Sequence, residues 1–231
     1  EDPLTWALPL ARVRGIAITI HGIFLLWIAV AVALSLSPDR MGPALVAGGV
    51  LALLAVLAVR EGVRRGMCGA LGGEWPVLTL WHLGSLSGPT GLPGRVARTL
   101  VVLSGFAAHL AMWPVLALAC VAVGVPADKL LFHPLMPNAT LEILNNLQAL
   151  VWWAYYVNIV VFMFNLLVPM LPLDLGRLIE IGLSRREGGE ATRTAAIIGL
   201  VAVNVFGRRD EAKKDLVKTD MGTLKSALRL F

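Results

Sequence analysis

Charge is scarce in this sequence. Only 15% of its 231 residues are Asp, Glu, Lys or Arg, where an average soluble domain carries about 25%. Cysteine is nearly missing. Cys68 and Cys120 form no C-x-x-C pair, and a structural disulfide is not expected. Runs of strict apolar–polar alternation do not occur in series, which argues against a membrane β-barrel. There is no internal repeat and no low-complexity linker.

What is present is hydrocarbon. Hydrophobic residues make up 57% of the chain, the mean hydropathy is +0.76, and the apolar residues are gathered into blocks. A helix that crosses a bilayer needs ~20 mostly apolar residues. Four blocks predict spans, over residues 16–36, 43–59, 99–123 and 149–171. A fifth, 194–206, is short for a span. The first block is too long for a signal peptide and lacks a small-residue cleavage site. The expected fold class is therefore an all-α polytopic membrane protein, with the lipid bilayer as its first partner. One domain is expected over residues 1–206, followed by a charged tail at 207–231 with seven Lys/Arg and four Asp/Glu.

Within that frame, the net charge of +5 is a topology signal rather than a nucleic-acid one, and no nucleic-acid partner is expected. Arg12 and Arg14 precede the first block. Arg60, Arg64, Arg65, Arg95 and Arg98 lie between the second and third, and Arg177, Arg185, Arg186 and Arg193 follow the fourth. The other connections hold only Arg40 and Lys129. Positive residues stay on the cytoplasmic side, so the N-terminus and the 60–98 connection are expected there. In that connection, Val77-Leu78-Thr79-Leu80-Trp81 has strand composition. Gly84 to Gly94, with four glycines and two prolines, reads as a loop. A short β-strand or hairpin is expected near residues 76–86, and it needs a pairing partner, because unpaired backbone is costly near lipid.

Three stretches in order carry a resemblance. The first is Arg60 to Leu86, REGVRRGMCGALGGEWPVLTLWHLGSL. The second is Ser104-Gly105-Phe106-Ala107-Ala108-His109. The third is Phe164 to Arg177, FNLLVPMLPLDLGR. Together with Ile20-His21 they resemble the site-2 protease family of intramembrane zinc metalloproteases, over most of residues 16–206. The third stretch is similar to the family's F-N-L-L-P…P-L-D-G-G-R and the second to its A-G-P-x-x-N. The first falls where the family carries H-E-x-x-H.

The chemistry of that motif is simple. Two His at i and i+4 share one helix face and bind Zn²⁺ through neutral nitrogens. The Glu accepts a proton from the zinc-bound water, and a later Asp completes the site. The resemblance places Glu61 at the general-base position, Asp174 at the third metal ligand and Asn165 at the substrate-carbonyl position. Arg60 and Arg64 stand at the two His positions. A guanidinium offers no lone pair and stays protonated. His109 replaces the family's Asn, and Leu175 the Gly after the Asp.

Three functions follow in order of preference. The first is a catalytically inactive homologue that binds transmembrane segments of client proteins, with no cofactor. The second is an active intramembrane zinc endopeptidase with unusual ligands, in which His109 or His21 reaches the metal. The third is a small membrane transporter. In the first case Arg60 or Arg64 is expected to pair with Asp174, so that two carboxylates meet two positive charges. Plainer readings stand beside these. Arg60, Arg64 and Arg65 alone would be a cytoplasmic anchor. His21 and His109 would be neutral and bonded to a neighbouring helix. His82 and His133 carry no ligand spacing. Trp152, Trp153, Tyr155 and Tyr156 would form an interfacial aromatic belt.

Overall fold

A computed structural model describes residues 6–13, 15–36, 42–131, 138–141 and 144–183. The expected fifth block at 194–206, the tail at 207–231 and His133 lie outside them. The described elements are β1 (Ala7–Val13), β2 (Ile16–His21), α1 (Gly22–Ser35), α2 (Pro43–Ala70), β3 (Val77–Trp81), β4 (Gly84–Ser85), α3 (Gly94–Ala122), α4 (Asn138–Leu141), α5 (Asn146–Leu167) and α6 (Asp174–Leu183). The fold is a helical membrane core with a small sheet, as its composition and hydropathy predict. Among the described residues three helices, α2, α3 and α5, are long and apolar enough to cross a membrane.

The first apolar block corrects the expectation of a single span over 16–36. Its opening residues, Ile16 to His21, form strand β2, and only the 14 residues of α1 are helical. At ~1.5 Å per residue such a helix falls short of a ~30 Å hydrocarbon layer. The physical reason is pairing. Ile16, Ile18, Thr19 and Ile20 are β-branched and suit a pleated surface, and they supply the partner that β3 needs. β2 runs parallel to β3, with Ala17 opposite Val77 and Ile20 opposite Leu80. Parallel neighbours need a long crossover, and α1 with α2 provides it. β1 and β4 flank the pair as antiparallel edges in the order β1-β2-β3-β4. The hairpin expected at 76–86 is thus part of a four-stranded sheet.

Helix α2 starts with Pro43 in its first turn, where a missing N–H costs nothing. It runs 28 residues, well past the block at 43–59, and carries Arg60, Glu61 and Arg64 as helical residues. Its end is a glycine turn: Gly72 has φ +78°, and Gly73 N–H donates to the Cys68 carbonyl at 2.9 Å. Helix α5 begins with a capping box, Asn145 and Gln148 each bonding the other's backbone N–H. It ends at Leu167, four residues short of the expected 171. Val168 to Leu173 is a loop containing Pro169 and Pro172, and proline cannot continue a helical ladder.

The aromatic belt is also corrected. Trp152, Trp153, Tyr155 and Tyr156 are buried together with Ala52, Cys120 and Ala149. Trp152 Nε1 donates to the Lys129 carbonyl at 3.0 Å, and Tyr155 Oη to the Leu130 carbonyl at 3.1 Å. Small residues on α2 let the rings approach. A Cβ on Gly49 would lie 3.1 Å from the Trp153 ring. Close approach over small residues is how membrane helices gain dispersion contacts.

Candidate functional site

Arg60 and Arg64 are four residues apart on α2, so both project from one face. Together with Glu61 they point into the protein, and each of the three is about 1% exposed. The N-terminus of α6 brings Asp174, and α5 brings Asn165, each also 1% exposed. The turn between β3 and β4 closes the site from the sheet side. The structure therefore brings all five sequence-predicted site residues together.

Arg60 is the hub. Its Nη1 bonds Glu61 Oε1, and its Nη2 bonds Asp174 Oδ2. The same Nη2 donates to Asn165 Oδ1 at 3.2 Å. Arg64 Nη1 donates to both oxygens of Glu61, at 3.2 and 3.1 Å. Its Nη2 is 3.7 Å from Asp174 Oδ1, close enough for an ion pair but too long for a hydrogen bond. The Arg64 guanidinium also lies 5.1 Å from the centroid of the Trp75 ring, a cation–π distance. The expected pairing with Asp174 is present, and the direct partner is Arg60.

Asn165 positions the rest. Its Nδ2 donates to the Leu83 carbonyl at 3.0 Å and the Val161 carbonyl at 2.9 Å. Its Oδ1 accepts from Arg60 and, at 3.2 Å, from the backbone N–H of Asp174. One amide thus ties α2, α5, α6 and the sheet turn. Two glycines make the room. A Cβ on Gly84 would overlap Arg60 Nη1, and one on Gly105 would lie 2.9 Å from Arg64 Cδ and 3.2 Å from Asp174 Oδ2.

Arg177, one of the positive residues after the fourth block, also belongs to the site. Its Nε donates to the Pro172 carbonyl at 2.9 Å. Its Nη2 donates to the Ser85, Leu86 and Ser87 carbonyls at 2.9, 3.3 and 3.2 Å. Burial, and then the neighbouring charge of Arg64, push this guanidinium down to about 10, so it stays charged at neutral pH. The available signal was spacing, since Arg177 is one helical turn beyond Asp174. Its presence also corrects the expected balance. The cluster holds three guanidiniums against two carboxylates, and carbonyl dipoles solvate the third.

His109 and His21 do not join the carboxylates as ligands. His109, buried on α3, has Nδ1 2.8 Å from Asn158 Oδ1, and Asn158 Nδ2 donates to the His109 carbonyl at 3.2 Å. It is bonded to a neighbouring helix, as the plainer reading expected. His21 caps α1, its Nδ1 accepting from the Ile23 N–H at 3.3 Å.

The residues at this site do not fit zinc. A catalytic zinc takes three protein ligands from His, Cys, Asp or Glu, and among the described residues no such group converges. The two carboxylates at hand are both engaged by guanidiniums, and a guanidinium offers a metal no lone pair. Glu61 accepts bonds from Arg60 and Arg64 together, so both of its oxygens are already engaged.

No family model matches the chain. In sequence, the chain is 29% identical over 216 residues to a protein of Mycobacterium tuberculosis with the provisional name zinc metalloprotease Rip3, in the Erdman and H37Rv strains. The match covers 85% of this chain and 50% of the relative, so the chain spans about half the length of the curated relatives it matches. In structure it is similar to the site-2 protease from Methanocaldococcus jannaschii, with a TM-score of 0.63, 20% identity and coverage of 87% of this chain and 88% of that one.

Proposed function

We propose that this chain, an integral membrane protein that belongs to the site-2 protease family, is a catalytically inactive member that holds transmembrane segments of client proteins. The observation that carries this reading is the buried contact of Arg60 with Glu61 and Asp174. The family's chemistry needs a metal-bound water and a free carboxylate to deprotonate it. Here the carboxylate at the base position is held by two guanidiniums, and the ligand positions carry positive charge. A protein with this fold that cannot cut a membrane-embedded segment can still bind one between its helices.

The alternative, an active zinc endopeptidase, is favoured by the names of the sequence relative and of the structural neighbour. Metal content separates the two. Elemental analysis of protein purified in detergent without chelators is expected to find far less than one zinc per chain. One tightly held zinc per chain, lost in Asp174→Ala, would establish the peptidase reading instead.

We further propose that the N-terminus and the 60–98 connection are cytoplasmic, because they carry the arginines and because β2 lies beside β3, with α1 entering the bilayer and α2 returning to the same side. A single cysteine introduced at Thr90 is then expected to react with an impermeant maleimide only from the cytoplasmic side, and one at Leu135 only from the other. Labelling of both from one side would show that an odd number of crossings does not separate them.

A further inference from the structure

One cation of the charged cluster has no charged partner. Arg60 and Arg64 both meet carboxylates. Arg177 makes four hydrogen bonds, and all of them go to neutral backbone carbonyls, those of Pro172, Ser85, Leu86 and Ser87. Carbonyl dipoles orient a guanidinium but do not cancel its charge. The acidic groups that act on it are Asp174 and Glu61, and the other two arginines already hold both.

The guanidinium also has a free end that faces outwards. Nε and Nη2 take the four bonds, and Nη1 takes none. Arg60 Nε, Arg64 Nε and Arg64 Nη2 are sealed inside the protein, whereas Arg177 Nη1 keeps contact with solvent. It opens beside Gly88, an exposed residue. A Cβ on Gly88 would lie 3.3 Å from Nη1. Flanking residues aside, no other atom of the described residues comes within 4 Å of that point. An oxygen there, a few tenths of an ångström closer, would accept a hydrogen bond from Nη1.

Charge decides what kind of oxygen. A guanidinium stays protonated, and a cation drawn out of water is stabilised by an anion. The cluster is in excess by one positive charge, so one negative charge balances it. A neutral amide oxygen would accept the bond and leave the excess. A carboxylate does both. Its source follows from position. The resemblance sets a bound segment beside Asn165 and Asp174, and Arg177 is three residues beyond Asp174 on α6, ~4.5 Å of helical rise. A side chain that flanks such a segment is within reach.

We propose that Arg177 is the receptor for one carboxylate of a bound client, an Asp or Glu in the residues flanking its transmembrane segment. The proposal rests on the client-binding reading and names what that site selects.

The test uses the full chain in detergent and a single-span Leu/Ala helical peptide. One Glu is moved along the flank of the peptide, and each Glu peptide has a Gln twin. At one position the Glu peptide is expected to bind about tenfold more tightly than its twin, the worth of one hydrogen bond to a charged group. The preference should fade as salt is raised. Arg177→Gln should erase it. Gly88→Asp covers the case in which that variant fails to fold, since it keeps Arg177 and offers it a carboxylate from the same chain. It should also erase the preference, and it should melt at a higher temperature than Gly88→Asn. Equal binding of every Glu peptide and its twin would overturn the carboxylate site and leave the client reading standing. Gly88→Asp melting no higher than Gly88→Asn would overturn the site without reference to any client. If no peptide binds while Gly88→Asp still melts above Gly88→Asn, the client reading fails, and the proposed source of the carboxylate fails with it. Loss of the preference on adding phosphatidylglycerol at constant ionic strength would give the site to a lipid head group instead.

Discussion

Asp174→Ala is expected to destabilise the folded protein by about 3–5 kcal/mol, the usual cost of stranding one partner of a buried ion pair. In a thermal melt in detergent this should appear as a drop on the order of 10 °C. The reason is local. Asp174 Oδ2 bonds Arg60 Nη2, and both side chains are about 1% exposed. Without the carboxylate, the Arg60 and Arg64 charges remain in a site already one positive charge in excess. Asp174→Asn keeps the shape and loses the charge, and should fall between the parent and the alanine variant.

The geometry also ranks the arginines. Arg60 touches Asp174 directly, whereas Arg64 reaches it only through Nη2 at 3.7 Å and bonds Glu61 through Nη1. Adding Arg60→Met to Asp174→Ala should therefore recover more stability than adding Arg64→Met. A double-mutant cycle reads this coupling directly. Neutral behaviour of Asp174→Ala, or equal and negligible coupling to both arginines, would mean that the cluster does not join α2 to α6 energetically.

Arg60→His with Arg64→His is expected to convert the cluster into a metal site holding about one zinc per chain, since two His at i, i+4 and one carboxylate form a catalytic-type ligand set. The double change removes both guanidiniums that occupy Glu61 and replaces two cations with neutral donors. Binding is read by elemental analysis after desalting, and Asp174→Ala on this background should abolish it. Proteolysis is not expected to return with the metal. The resemblance sets His109 against the family's Asn, and its ring is tied to Asn158. It likewise sets Leu175 against the Gly that follows the family's Asp. A folded double-histidine variant that binds no zinc would mean that α2 is not the counterpart of the metal helix.

The cluster joins elements much as a metal centre does. Zinc joins elements distant in sequence by bonding to side chains from each. A guanidinium does something similar with hydrogen bonds, since its planar fork reaches two acceptors in fixed directions. Arg60 contacts Glu61 on its own helix, Asn165 on α5 and Asp174 on α6. Lysine, a single point charge, could not bridge three acceptors in the same plane.

Much of this protein was legible in its residues because the signals were local or periodic. The apolar blocks predict membrane helices, since a bilayer demands length and hydrophobicity from each helix by itself. The i, i+4 spacing puts Arg60 and Arg64 on one helix face regardless of what they face. That a guanidinium offers no lone pair to a metal is likewise a property of the side chain. What the tertiary structure decided was each case in which a residue's state depends on a distant partner. Ile16 to His21 could continue a helix by hydropathy, and it is a strand because β3 lies beside it. Trp152 and Tyr155 could have faced the interface, and they are buried in a cluster with Ala52 because the Lys129 and Leu130 carbonyls take their donors. Arg177 reads as one more positive residue after a span, and it enters the site because the carbonyls of residues 85–87 and 172 converge on it. Which arginine meets Asp174 is decided by the approach of α6 to α2, which sequence spacing does not contain.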